Sequence, residues 1–137
     1  MTFSLRRKSE AQAFSAFHCT SMTQGFAAQR EMVQTGWLPP VMRQYDFSEV
    51  QRNFPDEVKQ DHGMLILVHE GPKAVVEAEK QAVQKIALAG GLELAPEEAV
   101  AKWMDHRNTV PSWDGFFKMN VVVDTVEVSA PWSKIDA

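Results

Sequence analysis

The residues of this chain best suited to chemistry at a small anion are two arginines. Arg43 lies in Val41-Met42-Arg43-Gln44-Tyr45, where alternate residues of a strand place Val41, Arg43 and Tyr45 on one face and Met42 and Gln44 on the other. A planar guanidinium with five donors on such a face can clamp a carboxylate or a phosphate. The competing reading is an ion pair with Asp46 or Glu49, just downstream. Arg107 follows Trp103 by four positions, so on a helix the indole and the guanidinium stack on one face, with His106 beside them. Trp103, His106, Arg107 and Arg43 are therefore the candidate binding residues, and none of them is assigned a catalytic role.

Other chemistry is poorly supported. No glycine-rich turn joins a strand to a helix, which a pyrophosphate cradle requires, and Gly90-Gly91 follows a helix and reads as its C-cap. His18, His62, His69 and His106 have no zinc-site spacing and no cysteine pair near them, so no metal site is expected. His18 and Cys19 are adjacent on a strand and point to opposite faces, which argues against a thiol–imidazole pair. Neither Ser129 nor Ser133 sits in a G-x-S-x-G elbow.

The elements that must position these residues are organised around residues 62–91. Met64-Leu65-Ile66-Leu67-Val68 is an unbroken apolar run of strand length, ended by Gly71-Pro72, and Pro72 can open a helix at no hydrogen-bonding cost. Val75, Ala78, Ala82, Ile86 and Ala89 then recur at helical spacing, which predicts one amphipathic face. Upstream, Ala11–His18 reads as a short strand. Ser21 caps a helix, with Gln24 reaching back, whose apolar residues are Met22, Phe26, Val33 and Trp37. Gly36 ends that helix, Pro39-Pro40 leads into the Arg43 strand, and a short helix capped by Asp46 or Ser48 follows. Downstream, a helix runs from Pro96 to about Arg107, and Val121–Ser129 predicts the last strand, stopped by Pro131. With the two shorter helices treated as insertions, the order is β-α-β-β-α-β. The fold class is α+β: a ferredoxin-like, split βαβ antiparallel sheet with helices on one face.

A chain of 137 residues with 45% hydrophobic and 23% charged residues has enough apolar content for one domain. A net charge of −4 gives no nucleic-acid footprint, since Arg6-Arg7-Lys8 is the only basic run. One cysteine, no signal-peptide core and no membrane span predict a cytoplasmic protein.

Four segments, taken in order, resemble the C-terminal, substrate-side cap domain of FAD-linked oxidases in the flavoprotein superfamily that includes vanillyl-alcohol oxidase. They are FAAQREMVQTGWLPPVMRQYD (26–46), HEGPKAVVEAEKQAVQKIALAGG (69–91), KWMDHR (102–107) and DTVEVSAPWSKI (124–135). The branch most resembled is that of the alkyldihydroxyacetonephosphate synthases and their bacterial relatives. The resemblance implies an FAD cofactor held by a separate domain or chain, with residues 1–137 forming a single cap domain. It implies that Arg43 matches an arginine important for activity, and that Trp103 and Arg107 match a helix motif beside the substrate pocket. Two departures stand out: where the family carries a further, phosphate-associated arginine, Asp114 stands, and the tyrosine and histidine cluster found further on in such enzymes does not occur in the sequence.

The resulting expectation is the cap, as fragment or split-gene product, of an FAD-dependent oxidoreductase acting on a small hydroxy acid or related substrate, inactive alone. Its partners are an FAD-binding domain or subunit and a small-molecule substrate. The alternative is a stand-alone ferredoxin-like module for binding or oligomerisation. A cap incomplete at its C-terminus also predicts a helix starting near Lys134 that is too short to persist. Trp132, Val121, Val123 and Val128 are then expected to form an exposed apolar patch through which the chain dimerises or aggregates.

Overall fold

In the computed structural model, which describes Phe3, Leu5 and residues 7–109, 113–122 and 124–135, the apolar run in the middle of the sequence becomes the central strand. The elements are β1 (Ala11–Cys19), α1 (Met22–Gln34), β2 (Val41–Tyr45), α2 (Phe47–Asn53), β3 (Gly63–Gly71), α3 (Lys73–Ala89), β4 (Glu93–Ala95), α4 (Glu98–His106) and α5 (Trp113–Lys118). The strand order is β2-β3-β1-β4 and every neighbouring pair is antiparallel. This is the split βαβ arrangement: β1 and β3 pair over nine residues, from Ala11 opposite Gly71 to Cys19 opposite Gly63.

The pleat sorts the core into two layers. Phe17, Cys19, Leu65 and Leu67 meet α1 and α3 through Ala28, Met32, Val83 and Ala87, the face the two long helices share. Ala16, Met64, Ile66 and Val68 meet the two shorter helices through Val50, Ala99 and Val100 on the opposite face. The insertions thus cover what would otherwise be an open side of the sheet. Met64 to Val68 are consequently almost fully inaccessible, and burying each such side chain stabilises the fold by about 1.5–3 kcal/mol.

Three expectations from the pattern need correction. The fourth strand is Glu93–Ala95, not Val121–Ser129, which forms no strand among its described residues. Its placement follows from the end of α3: Gly91, at φ +80°, turns the chain, Leu92 N–H bonds Ala87 O at 3.0 Å, and the next three residues fall beside the free edge of β1. The buried stripe of α3 is Val76, Val83 and Ala87 rather than the Val75 and Ala78 row, and Val75 is exposed. The stripe of α1 is Gly25, Ala28, Gln29 and Met32, with Phe26 turned outward. In both helices a buried polar contact sets the rotation: Glu79 to His69 at 2.9 Å and Gln29 to Gln44 at 2.6 Å.

Capping follows the sequence more closely. Gln24 N–H bonds Ser21 Oγ at 3.1 Å while Gln24 Oε1 accepts from Thr20 N–H at 2.8 Å, and Asp46 caps α2 through Glu49 N–H at 2.8 Å. Near the end of the chain Trp132–Lys134 is a single 3₁₀ turn with Pro131 before it, and no helix starts near Lys134 among the described residues. Trp132 is not exposed as expected: with Ile135 it lies across a shallow concavity from Phe26 and Ala27 on the outer side of α1.

Candidate functional site

β2 is an edge strand, and its Val41, Arg43 and Tyr45 side chains rise on the face covered by α2 and α4. There Arg43 lies between two rings: its Cζ is 5.6 Å from the Trp103 ring centre and 5.7 Å from that of Tyr45. The stacking partner of Trp103 is therefore Arg43, on β2, and not Arg107 one turn along α4. Arg107 instead donates to Met104 O of its own helix.

The ion pair weighed against a binding role for Arg43 does not form. Asp46 accepts from Glu49 N–H and Ser48 Oγ, and Glu49 accepts from Arg52 at 2.8 Å and Asn53 at 3.0 Å. Among the described residues no carboxylate pairs with Arg43. An arginine stacked on aromatic rings keeps its edge donors available, because the rings engage its face. Tyr45 is itself braced edge-on by buried Phe54, ring centres 5.2 Å apart. Burial pushes the Tyr45 pKa up, with the Arg43 charge and a hydrogen bond from Trp103 opposing, so the phenol stays neutral at physiological pH.

These groups open onto a cavity of about 510 Å³ that all four candidate residues line. His106 Nδ1 lies 2.8 Å from Lys102 O, which fixes the ring on the helix surface. Lys102 Nζ reaches Asp56 Oδ2 at 2.8 Å and ties α4 to the turn Pro55–Glu57. That pairing lowers the Asp56 pKa and raises that of Lys102, but both side chains are largely exposed and the pair is screened. The cavity thus carries Arg43 from β2 with Lys102 and Arg107 from the end of α4, beside the carboxylates of Glu49 and Asp56, and Arg43 is exposed there between the two rings.

A second arrangement gave no sign in the sequence. Ser15 Oγ lies 3.0 Å from His69 Nε2, and His69 Nδ1 lies 2.9 Å from Glu79 Oε1. The connectivity is that of a nucleophile, base and acid, but Ser15 and His69 are sealed between the sheet and α3. No substrate reaches the hydroxyl, and the array works as a polar strut that holds α3 on the sheet. Only the register of β1 against β3 brings these residues together, across 54 positions.

α3 opens with Pro72, which offers no N–H, and at the start of α1 the Gln24 N–H is taken by Ser21 Oγ, so neither of the two long helices offers a full set of free amide donors to an anion. Among the described residues no group of three metal-ligating side chains forms and no helix is long and apolar enough to cross a membrane.

Comparison with known proteins agrees with the architecture. Residues 8–137 match the family described as FAD linked oxidases, C-terminal domain. The chain is similar to a solved structure titled alkyldihydroxyacetonephosphate synthase in P1, with a TM-score of 0.60 and 19% identity over 71% of this chain and 23% of that one. A second, titled alkyldihydroxyacetonephosphate synthase in P212121, gives a TM-score of 0.59 and 17% identity over 74% and 23%. At these identities the likeness establishes the fold alone, and the chain spans about a quarter of the length of either protein. Comparison with curated proteins found no match.

Proposed function

Because the chain belongs to the family of FAD-linked oxidase C-terminal domains, whose cofactor is FAD bound by a partner domain, we propose that it is the substrate-side cap of an FAD-dependent oxidoreductase. The substrate class is a small hydroxy acid or a related molecule with one anionic end. The observation that carries this reading is Arg43: a cation without a carboxylate partner among the described residues, stacked on Trp103 and Tyr45 in the lining of the 510 Å³ cavity. Its role is to bind and orient the anion, with His106 and Arg107 at the mouth, and to leave the redox step to the flavin of the partner domain. On this reading the partner domain holds the FAD, and the chain alone binds FAD weakly and turns nothing over.

The test is titration of the purified chain with a short 2-hydroxycarboxylate, followed through the Trp103 indole N–H resonance. Arg43→Lys weakens binding about tenfold or more and leaves the melting temperature within about 1 °C, because an ammonium on a flexible stem does not reproduce a bidentate fork. Unchanged affinity, or stability lost in step with affinity, overturns the assignment. A yellow, stoichiometric FAD complex of the isolated chain overturns the proposed division of labour.

A further inference from the structure

The imidazole of His106 is held in one hydrogen pattern by its own helix. Its Nδ1 lies 2.8 Å from Lys102 O, and a backbone carbonyl only accepts, so in the neutral ring Nδ1 carries the hydrogen and Nε2 the lone pair. His106 is exposed and lines the same cavity as Arg43, and among the described residues no hydrogen bond or ion pair engages Nε2. The carboxylates of that cavity are already engaged, Glu49 by Arg52 and Asn53 and Asp56 by Lys102. Nε2 is thus an open acceptor that is fixed in direction by the turn of helix behind it.

Its position relative to Arg43 follows from Trp103. Arg43 Cζ stands 5.6 Å from the centre of the Trp103 ring, and His106 comes three residues after Trp103, on the same side of α4. The cavity therefore offers a cation at one point of its lining and, one helical turn beyond the ring that carries that cation, a nitrogen that accepts. A ligand matching both has an anionic end and a hydrogen-bond donor. An ammonium is a donor too, but Arg43, Lys102 and Arg107 all line this space and disfavour a second positive charge. The donor that fits is an uncharged hydroxyl.

We propose that His106 Nε2 is the acceptor for the hydroxyl of the ligand whose anionic end Arg43 holds, and that this contact makes the cavity select hydroxy acids over the same acids without the hydroxyl. The proposal rests on the assignment of Arg43 above and adds a residue that determines specificity.

The test compares butyrate with 2-, 3- and 4-hydroxybutyrate, each titrated into the purified chain and followed through the Trp103 indole resonance. At least one hydroxybutyrate binds about three- to tenfold more tightly than butyrate, the worth of one hydrogen bond. In His106→Phe the ratio of the two affinities falls to about one, and because position 106 is exposed the circular dichroism of the variant matches that of the native chain. Long-range proton–nitrogen spectra of the imidazole show hydrogen on Nδ1 in the free chain, and the preferred hydroxybutyrate moves the Nε2 resonance where butyrate does not. Equal affinities for all four acids, a preference that survives His106→Phe, or hydrogen on Nε2 in the free chain overturns the proposal. Butyrate that still binds, and is weakened by Arg43→Lys, then leaves the Arg43 assignment standing, whereas failure of all four acids to bind overturns both.

Discussion

Gly25 gives the sharpest test of the interior, because a single methyl group there is worth more than a helix propensity. Built at Gly25, a Cβ lies 2.3 Å from both Nε2 and Oε1 of Gln44 and 2.4 Å from its Cδ. The Gln44 amide is not free to retreat at no cost: its Oε1 accepts from Gln29 Nε2 at 2.6 Å and its Nε2 donates to Met22 O at 3.0 Å. Moving it breaks two hydrogen bonds of about 1 kcal/mol each and strands the buried Gln29 amide at about 1–3 kcal/mol, while alanine returns about 1 kcal/mol of helix propensity. Gly25→Ala is therefore expected to destabilise the fold by roughly 2–4 kcal/mol, some 7–14 °C in melting temperature. In a Gln44→Ala background the obstruction is gone, and the same substitution is expected to stabilise by up to about 1 kcal/mol. Urea unfolding of the four chains, followed by circular dichroism, gives the cycle directly. If Gly25→Ala is neutral in the native background, or has the same sign in both, the packing argument is wrong.

Two further outcomes follow from buried polar groups. His18 has an unpartnered, buried Nδ1, and its pKa is lowered by burial first and then by Lys59 and His62, with Glu93 opposing. The unfolded chain therefore binds a proton at higher pH than the folded one. Stability is full above about pH 6.5, falls as the pH drops below it, and levels off beneath the folded His18 pKa; His18→Gln removes this dependence, and an unchanged pH profile in that variant refutes it. In the Ser15–His69–Glu79 strut, Glu79→Ala and Ser15→Ala each leave one nitrogen of the fully buried His69 ring without its partner and are each expected to cost about 1–3 kcal/mol. Neutral outcomes for both in urea unfolding contradict the strut.

The sequence was most legible where one residue type decides the local outcome. Pro72, Gly91, Ser21 and Asp46 set element boundaries by backbone chemistry, and the apolar run 64–68 could only be a covered strand. It was least legible where a polar side chain overrode the apolar period. Gln29 and Glu79 rotate their helices toward partners on distant strands, so Phe26 and Val75 were misassigned to the core. β4 has three residues and no periodicity to read, whereas 121–129 has strand periodicity without a strand beside it. At the site, the face carrying Arg43 could be read from alternation alone. Its stacking on Trp103 could not, because that contact depends on α4 crossing the sheet opposite α1 and α3.

The pairing of β1 with β3 also has a consequence for how the chain is made. Ser15 and His69, which bond across that pair, are 54 residues apart. At roughly 5–20 residues per second, synthesis of that interval takes about 3–11 s, during which β1 has left the ribosome without its neighbour. For those seconds a strand carrying Phe14 and Phe17 has no hydrogen-bonding partner, and of the helices that cover it only α1 has been made. A nascent chain of this fold is thus most vulnerable to capture or aggregation at its first strand, before any part of the sheet exists.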